Sequence, residues 1–324
     1  MVRAPRRRSV DDHRIAVVDA GRSTTRVAVF EGPRLLDRAE AAGGFPHPEA
    51  PGALEDVLHQ LEVALAPLGH GPYDLLVLAT TGVRQLGTTE SRLQDALERR
   101  WGCEALVVND VIAAYLGALG SRPGILLEAG TGSLVVGIAD GRVPVVLDGW
   151  GHLAGDRGSG FALGRAGLRA AFAAIDGTGE ATSLTPLLAG PDPERTIRAL
   201  YASEEQTREV AALAPRVLRA AADGDRTALA AVEGVAAELV TLLLTAGRRL
   251  ADPQLSALPV AGIGGLFEDA LFRETVQRGL RAQLPHARLA DAAGDALEGG
   301  RLLASTRHEP LTRLLTSAFR NEET

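Results

Sequence analysis

Three short apolar runs near the start of the chain are separated by turn residues. They cover residues 14–19, 26–30 and 34–41. Glycine, serine and threonine dominate the first gap, and Glu31-Gly-Pro33 fills the second. Short apolar runs joined by tight turns predict an antiparallel meander of three strands.

Helical and strand patterns alternate after this meander. Residues 53–67 and 90–100 carry apolar side chains close to helical spacing, so we expect two helices there. Residues 75–79 and 105–108 are short continuous apolar runs, which is typical of buried strands. Three hairpin strands followed by alternating helices and strands predict an α/β unit of the ribonuclease H-like type.

The same pattern then starts again. Residues 124–128, 134–139 and 143–147 read as three strands separated by glycine turns. Such a duplication predicts two ribonuclease H-like domains. Helices dominate from residue 159 to residue 250, apart from a surface loop predicted at 189–194, and a strand is predicted at 257–261.

The repeat divides the chain into four predicted segments. Their bounds are 1–13 for a disordered basic tail, 14–112 for an N-terminal domain, 113–306 for a C-terminal domain, and 307–324 for a C-terminal helix, with packing back on the N-terminal domain as one option.

Charge and residue usage narrow the candidate chemistry. The formal net charge is −7 at pH 7, which argues against a nucleic-acid partner, since phosphates demand a basic face. The chain contains no lysine, so a lysine-dependent phosphate grip and the Walker A motif are both excluded. A small anionic ligand remains open because backbone N–H groups bind phosphate without net positive charge.

Cysteine usage and the N-terminal segment bear on the compartment. Cys103 is the only cysteine, which excludes an intrachain disulfide and argues against a cysteine zinc site. Residues 1–13 lack the apolar core of a signal peptide, and we expect no membrane-spanning run elsewhere. These features predict a cytoplasmic protein without a membrane partner.

Two turns rich in glycine and hydroxyl groups occupy equivalent places in the repeat. Residues 19–25 read Asp-Ala-Gly-Arg-Ser-Thr-Thr, and residues 129–133 read Ala-Gly-Thr-Gly-Ser. Each turn alone is compatible with a plain hairpin, but together they predict a phosphate clamp of N–H and hydroxyl donors. Asp19 is placed to hold Mg²⁺ through water. The candidate nucleotide-binding residues of the two turns are Gly21, Ser23, Thr24, Gly130, Thr131, Gly132 and Ser133.

Asn109 and Asp110 follow a predicted buried strand and precede a predicted helix. Asp110 has two interpretations, an N-cap of that helix or a general base that faces a substrate hydroxyl. The nearby phosphate clamp favours the general base.

A glycine-rich loop at residues 148–160 is the most unusual stretch of the chain. Aromatic residues make up only 4% of the sequence, so Trp150 inside this loop is better explained by ligand shaping than by core packing. Asp156 is a candidate acceptor for sugar hydroxyls. His152 has two interpretations, an acid or base and a structural loop histidine, and the structural one is favoured.

A late glycine turn, Gly262-Ile-Gly-Gly265, follows a predicted strand. The adenosine of a nucleotide is a candidate ligand for Gly262, Gly264 and Gly265, because a side chain there would collide with it. Ordinary strand-to-helix punctuation gives the same pattern.

Taken in order, these motifs resemble the N-acetylglucosamine kinase and BadF/BadG/BcrA/BcrD ATPase family, a branch of the actin, Hsp70 and sugar-kinase superfamily. The resemblance spans residues 14–306, and the Gly-Trp-Gly segment at 149–151 is specific to this branch. It implies two actin-like ATPase domains with an interdomain active-site cleft. It also implies ATP and Mg²⁺ as cofactors, and a hexosamine as the substrate that is phosphorylated at its 6-hydroxyl.

The resemblance also implies roles for particular residues. Asp110 is the implied base for the 6-hydroxyl, and Asp19 is the implied organiser of Mg-ATP. Thr131, Gly132 and Ser133 are implied to surround the transferring phosphate. The implied sugar-binding residues are Asn109, Thr131, Gly149, Trp150 and Asp156.

Several positions depart from the family pattern. Ala20 and Arg22 stand where glycines are usual, and Arg157 replaces the usual glutamate of Gly-Asp-Glu-Gly-Ser. Residues 43–48 read Gly-Gly-Phe-Pro-His-Pro in place of an asparagine-containing sugar loop, which leaves Phe45 and His47 as candidate replacements. This departure weakens the case for N-acetylglucosamine and makes glucosamine, another amino sugar or a related hexose a credible substrate.

Three other functions are alternatives to a sugar kinase. An ATPase that activates a 2-hydroxyacyl-CoA dehydratase needs cysteines for an iron–sulfur cluster, and Cys103 alone is poor provision. A sugar-responsive regulator needs a DNA-binding module, for which 13 residues before the first strand are too few. A catalytically weakened sugar-binding homologue stays open, and a homodimer is suggested by the family alone.

Overall fold

The computed structural model describes residues 13–21, 24–42, 53–69, 71–80 and 87–306. The chain divides into two compact units. The first unit contains the chain up to Arg122 and again from Ala292 onward, and the second contains the chain between them. Residues 1–12 of the predicted tail and the predicted helix at 307–324 lie outside the described residues.

The described strands and helices alternate as the sequence pattern predicts. The strands are β1 (Arg14–Ala20), β2 (Thr24–Glu31), β3 (Arg34–Ala42), β4 (Leu75–Thr80), β5 (Glu104–Asn109), β6 (Gly124–Ala129), β7 (Ser133–Ile138), β8 (Val145–Asp148), β9 (Val260–Ile263) and β10 (Leu289–Ala290). The helices are α1 (Ala53–Leu65), α2 (Gly87–Trp101), α3 (Asp110–Leu119), α4 (Gly160–Ile175), α5 (Pro193–Ala202), α6 (Gln206–Ala211), α7 (Ala214–Ala222), α8 (Arg226–Arg249), α9 (Gly265–Glu268), α10 (Ala270–Gln283) and α11 (Ala296–Thr306).

The two sheets have the same topology. The first sheet has the order β3-β2-β1-β4-β5 and the second β8-β7-β6-β9-β10. In each, three antiparallel strands form a meander whose first strand also pairs in parallel with the fourth. This confirms the predicted α/β class with two ribonuclease H-like sheets, and it confirms the internal duplication.

The central strand β1 is buried along almost its whole length. Every residue from Ile15 to Ala20 is buried, and the continuous apolar run is the pattern expected where both faces of a sheet are covered. The helix α3 is buried from Val111 to Leu119, which fits its apolar character all round. The first unit thus buries both its central strand and this helix.

The boundary between the units lies after Arg122, where the sequence predicted one after residue 112. Residues 292–306 also belong to the first unit, whereas the sequence assigned them to the C-terminal domain. The physical reason is close packing of α11 on α3. A Cβ atom at Gly299 would lie 1.7 Å from the carbonyl oxygen of Ala113, so only glycine permits this approach.

Two predicted boundaries differ from the structure, and the side chain of an aspartate explains each difference. The segment 189–194 is not all loop, because α5 begins at Pro193 with Asp192 as its N-cap. The strand predicted at 257–261 begins at Val260 instead. The carboxylate of Asp252 accepts the N–H groups of Ala257 and Leu258 at 3.0 Å each, which holds those residues in a turn.

The long helix α8 lies in the core of the second unit. Among the described residues it is the one helix long and apolar enough to cross a membrane by length and composition, although the sequence predicted no such segment. Its Val232, Leu239 and Leu243 are fully buried within the hydrophobic core of that unit. The apolar composition of α8 therefore has an explanation in packing.

Candidate functional site

In the first unit, the candidate residues gather at the carboxyl ends of parallel strands. Ala20 of β1 pairs with Thr80 of β4, and Thr80 pairs with Asn109 of β5. Neighbouring strands are about 4.8 Å apart, so Asp19 and Asp110 lie near the same edge of the sheet. Ligands of open α/β sheets bind at this edge. We call these residues, with the turn after β1, the first half-site.

Asp19 is buried and paired with an arginine. Its side chain is 9% exposed and forms an ion pair with Arg26, whose Nε donates to Oδ2 at 3.0 Å. Burial raises the pKa of Asp19, because Arg26 offsets only part of the cost of removing the carboxylate from water. The nearby charge of Asp295 adds to the rise. Asp19 is thus a desolvated carboxylate that the fold holds at some energetic cost.

Asp295 is a member of this cluster that the sequence interpretation missed. It precedes α11, and its Oδ1 accepts the N–H of Glu298 at 3.1 Å as an N-cap does. An Asp three residues before a Glu at a helix start was a visible signal of the cap. Nothing in the sequence indicated that the capped helix returns to β1.

The described residues contain no cluster of three or more metal-ligating side chains. Mg²⁺ bound to a nucleotide needs only one or two carboxylates, since phosphate oxygens and waters complete its shell. Asp19 and Asp295 are hard oxygen donors of the type that Mg²⁺ prefers, so this pair fits a water-mediated ion.

Asn109 is the N-cap of α3. Its Oδ1 accepts the N–H of Val111 at 2.9 Å, and its backbone is extended. The alternative that Asp110 caps this helix is therefore wrong, since Asp110 is already the first helical residue. Asp110 is half-buried, and its Oδ1 lies 3.0 Å from the same N–H. A carboxylate in the first turn is also favoured by the helix dipole.

A backbone hydrogen bond joins the residues on either side of the segment 22–23 between β1 and β2. The N–H of Gly21 donates to the carbonyl oxygen of Thr24 at 3.1 Å. Thr24 is exposed and Thr25 is buried. Arg22, Ser23 and the segment 43–48 lie outside the described residues.

In the second unit, the candidate residues gather around the turn between β6 and β7. The N–H of Gly130 donates to the carbonyl oxygen of Gly132 at 2.9 Å. Helix α4 begins beside this turn, and its Gly160 N–H donates to the carbonyl oxygen of Gly130 at 2.8 Å. Thr131 is half-buried and Ser133 is buried. We call this turn, the loop 148–160 and Gly264 the second half-site.

Asp156 belongs to the interior of the second half-site. It is 4% exposed, and its Oδ1 accepts the N–H of Ser133 at 3.2 Å. A Cβ atom on Gly132 would lie 3.0 Å from the same oxygen. The carboxylate therefore supports the turn that carries Thr131 to Ser133, a contact that the sequence did not predict.

Trp150 is 62% exposed and Leu153 is 91% exposed. An exposed Trp in a glycine loop agrees with the expectation that this residue does not serve the core. His152 packs its ring against Phe161 at a centroid distance of 5.0 Å, and its Nδ1 lies 3.3 Å from Oγ1 of Thr207. Both contacts agree with the structural interpretation of His152.

Within the second unit, the late glycine turn at 262–265 packs against the turn between β6 and β7. Ile263 of β9 pairs with Glu128 of β6, and a Cβ atom on Gly264 would lie 2.6 Å from the carbonyl oxygen of Ala129. Gly264 also has a φ of 94°, which disfavours side chains. A Cβ on Gly262 would strike the ring of Phe267, whereas one on Gly265 would meet no atom within 4 Å. Gly265 is therefore the glycine of this turn with open space in front of it.

A cavity of about 390 Å³ lies elsewhere in the second unit, between the segment before α5, α5 itself and α7. None of the predicted site residues lines it. The candidate chemistry is thus concentrated at the two half-sites.

Comparisons with known proteins agree with this arrangement. A family model described as the BadF/BadG/BcrA/BcrD ATPase family matches residues 18–299. The N-acetylmuramic acid/N-acetylglucosamine kinase of Clostridium acetobutylicum is 28% identical over 204 residues, which is 61% of this chain and 66% of that protein. The N-acetyl-D-glucosamine kinase of Dictyostelium discoideum is 28% identical over 203 residues, 60% of this chain and 64% of that protein. The chain thus spans slightly less than two thirds of these relatives.

A solved structure from Chromobacterium violaceum, assigned as an N-acetylglucosamine kinase, superposes with a TM-score of 0.72 and 26% identity. The match covers 91% of this chain and 99% of that one. The family model covers far more than half of the chain, and it confirms the resemblance predicted from the motifs. The chain therefore belongs to the BadF/BadG/BcrA/BcrD ATPase family.

Proposed function

We propose that this chain is an ATP-dependent sugar kinase that phosphorylates the 6-hydroxyl of a hexosamine. The observation that carries the proposal is the gathering of Asp19, Asn109 and Asp110 at the carboxyl ends of β1, β4 and β5. A desolvated carboxylate for the metal and a half-buried carboxylate for a proton are the two groups that phosphoryl transfer to an alcohol requires.

The second half-site supports the nucleotide part of the proposal. Its turn at 130–133 is a glycine-rich hairpin that the Asp156 carboxylate holds in place, and such a backbone allows phosphate oxygens to approach closely. Gly265 leaves space next to this turn, which suits an adenosine. The family description as ATPases agrees with nucleotide use.

In the proposed reaction, the Asp110 carboxylate accepts the proton of the sugar hydroxyl as its oxygen attacks the γ-phosphorus of ATP. The bond from that phosphorus to the bridging oxygen breaks, and ADP leaves with the electron pair. Asn109 fixes the start of α3 and so holds Asp110 in place. Asp19 would hold Mg²⁺ through water, and Mg²⁺ would supply charge neutralisation at the phosphates.

The sugar class is proposed from the relatives. The Clostridium protein carries N-acetylmuramic acid and N-acetylglucosamine in its name, and the Dictyostelium protein carries N-acetyl-D-glucosamine. Trp150 and Gly149 are proposed to line the sugar, with the exposed indole stacking on a pyranose face. The departures at residues 43–48 keep glucosamine and plain hexoses among the candidates.

A coupled ATP-consumption assay tests the proposal with N-acetylglucosamine, N-acetylmuramic acid, glucosamine, glucose and no sugar. Asp110→Asn keeps the shape of the side chain and removes the base, so we expect kcat to fall about 10²- to 10⁴-fold. The matched control is Asp140→Asn, which alters an exposed carboxylate in the turn after β7. A 6-deoxy analogue of the best substrate should not be consumed.

Three outcomes would overturn the proposal. ATP consumption that is equally fast without sugar would favour an ATPase of the activator type. Full activity of Asp110→Asn would show that Asp110 is not the general base. ATP consumption with the 6-deoxy sugar would show that a hydroxyl other than the 6-hydroxyl is phosphorylated.

A further inference from the structure

Asp148, the last residue of β8, is a buried carboxylate in an unfavourable backbone conformation. Its side chain is 1% exposed, and its φ is 65°, a region that residues with a Cβ rarely adopt. Such conformations persist when surrounding contacts hold them, and they gather at functional sites. The contacts of the Asp148 carboxylate explain why the strain is kept.

The two carboxylate oxygens of Asp148 close the base of the loop that carries Trp150. Oδ1 accepts the N–H of Asp156 at 2.8 Å. Oδ2 accepts the N–H of Arg157 at 3.1 Å and its Nε at 3.3 Å. A Cβ atom on Gly155 would lie 2.0 Å from Oδ1, so the chain can pass this close only as glycine. Asp148 therefore joins the entry of the loop to its exit.

The exit of the loop is in turn bonded to the phosphate turn. The Asp156 carboxylate accepts the Ser133 N–H at 3.2 Å, and Oγ of Ser133 accepts the Gly158 N–H at 3.0 Å. The Gly149 N–H donates to the carbonyl oxygen of Ser133 at 3.1 Å. A continuous path of hydrogen bonds thus runs from Asp148 through Asp156 to Ser133.

Arg157 extends this path to the surface of the long helix α8. Its guanidinium is half-exposed and bridges Asp148 to Glu238 of α8, with 3.4 Å from NH1 to Oε2 of Glu238. An ion pair with one fully buried partner is hard to break without cost, because the carboxylate would be left buried and uncompensated. The arginine and the aspartate therefore act as one unit.

We propose that Asp148, paired with Arg157, is a positioning residue that couples the Trp150 loop to the phosphate turn. The inference rests on the proposed kinase function, with Trp150 at the sugar and the 130–133 turn at the phosphates. Sugar and phosphate must be held in register for in-line transfer, and small misplacements reduce the rate steeply. One carboxylate that binds both ends of the loop fixes this register.

The test uses the full chain with Trp101→Phe, so that Trp150 is the sole tryptophan. Asp148→Gly tolerates the positive φ and removes the carboxylate, while Asp148→Asn keeps an oxygen acceptor for the Asp156 N–H. Arg157→Gln removes the guanidinium and leaves the backbone bonds. The readouts are time-resolved fluorescence anisotropy of Trp150 without ligand, KM for the best sugar, KM for ATP, and kcat.

For Asp148→Gly we expect a larger fast component of the Trp150 anisotropy decay and a rise of about tenfold or more in sugar KM, the scale of a lost charged hydrogen bond. The KM for ATP should change less than the KM for sugar. Asp148→Asn should recover most of both effects, and Arg157→Gln should lie between Asp148→Asn and Asp148→Gly. A purely structural role would lower the melting temperature without separating the two KM values.

Unchanged Trp150 anisotropy in both Asp148→Gly and Arg157→Gln would overturn the coupling. If Asp148→Gly fails to fold, the Trp150 anisotropy of Arg157→Gln and Asp148→Asn decides whether the coupling exists. Both of these variants keep hydrogen-bond partners for the loop backbone in place. If the parent chain consumes no ATP with any sugar, the kinase proposal fails, while the anisotropy measured without ligand still decides whether Asp148 orders the loop.

Discussion

The turn after β1 and the turn after β6 connect equivalent strands of two sheets with the same order, yet their chemistry differs. The first presents a buried carboxylate, Asp19, paired with Arg26 and close to Asp295. The second is a glycine turn without a carboxylate of its own, and Asp156 of the loop 148–160 accepts the N–H of its Ser133. The two units thus share a sheet topology but differ at equivalent strand ends, with a buried carboxylate in the first and a glycine backbone in the second.

The difference shows which positions in a duplicated fold are free to diverge. Strand order and the meander are fixed by the apolar faces that each sheet must bury. The turn residues lie at the strand ends, where packing constrains them less. We therefore expect the first half-site to be sensitive to loss of charge and the glycine turns of the second half-site to be sensitive to added side chains.

Among changes that compare the two turns, the largest expected effect is on activity, from Asp19→Asn. Loss of the charge should lower kcat on the order of 10²-fold, the scale of one electrostatic contact at a reacting phosphate. The melting temperature should not fall, because the variant removes a carboxylate that burial disfavours. Steady-state kinetics and thermal unfolding of the nucleotide-free protein measure both, with Asp140→Asn as the control.

The pH dependence of Asp19→Asn follows from the raised pKa of Asp19. A folded-state pKa above the unfolded value means that the contribution to stability is full below the unfolded pKa. It is lost as pH rises through the folded pKa. The stability gain of the variant should therefore be larger at pH 8 than at pH 4, and a gain confined to acid would contradict the burial of this charge.

A smaller effect, on stability, is expected from Gly264→Ala in the second half-site. The positive φ and the approach to the Ala129 carbonyl should together cost about 2 kcal/mol. The matched control is Gly265→Ala, whose Cβ meets no atom within 4 Å. Thermal unfolding should separate the two by several degrees, and equal melting temperatures would refute the tight packing of these two turns.

The smallest effect concerns a carboxylate of the second unit whose pKa shifts in the opposite direction to that of Asp19. Desolvation raises the pKa of Asp225, but bonds from Ala228, Ser183 and Thr182 outweigh it and lower the pKa to about 2. The stabilisation is present above the unfolded pKa and is lost as pH falls from about 4 through 2.

Asp225→Asn should therefore reduce the loss of stability between pH 5 and pH 3, measured by chemical denaturation. The control is Asp223→Asn, which changes an exposed neighbour. An equal acid response in both variants would show that Asp225 is not held by those bonds.

Much of the fold was accessible from the sequence because its signals are local. The apolar runs, the helical spacing and the glycine turns each involve a few consecutive residues, and they predicted β1 to β8 and the duplication within two residues, whereas the two-residue strand β10 was not predicted. The segment 257–261 was misplaced because the carboxylate of Asp252 holds Ala257 and Leu258 in a turn. A cap made from five residues away leaves no periodic signal.

The site was accessible in part. The two phosphate turns, Asn109 with Asp110, and the Trp150 loop were singled out by residue type and order. The partner of Asp19 was not, although Arg26 lies directly opposite it on β2. Which residues face each other across two strands depends on the register of the hairpin. The turn sequence between β1 and β2 does not determine that register, so the pairing of Asp19 with Arg26 could not be predicted.

The sequence by itself determined the α/β class, the repeated meander and the family, since all three depend on the order of short patterns along the chain. Tertiary structure alone decided that α11 completes the first unit, that Asn109 caps α3, and that Asp148 binds both ends of its loop. These facts depend on which backbone and side-chain atoms meet in space, at distances of a few ångströms that no spacing along the chain encodes.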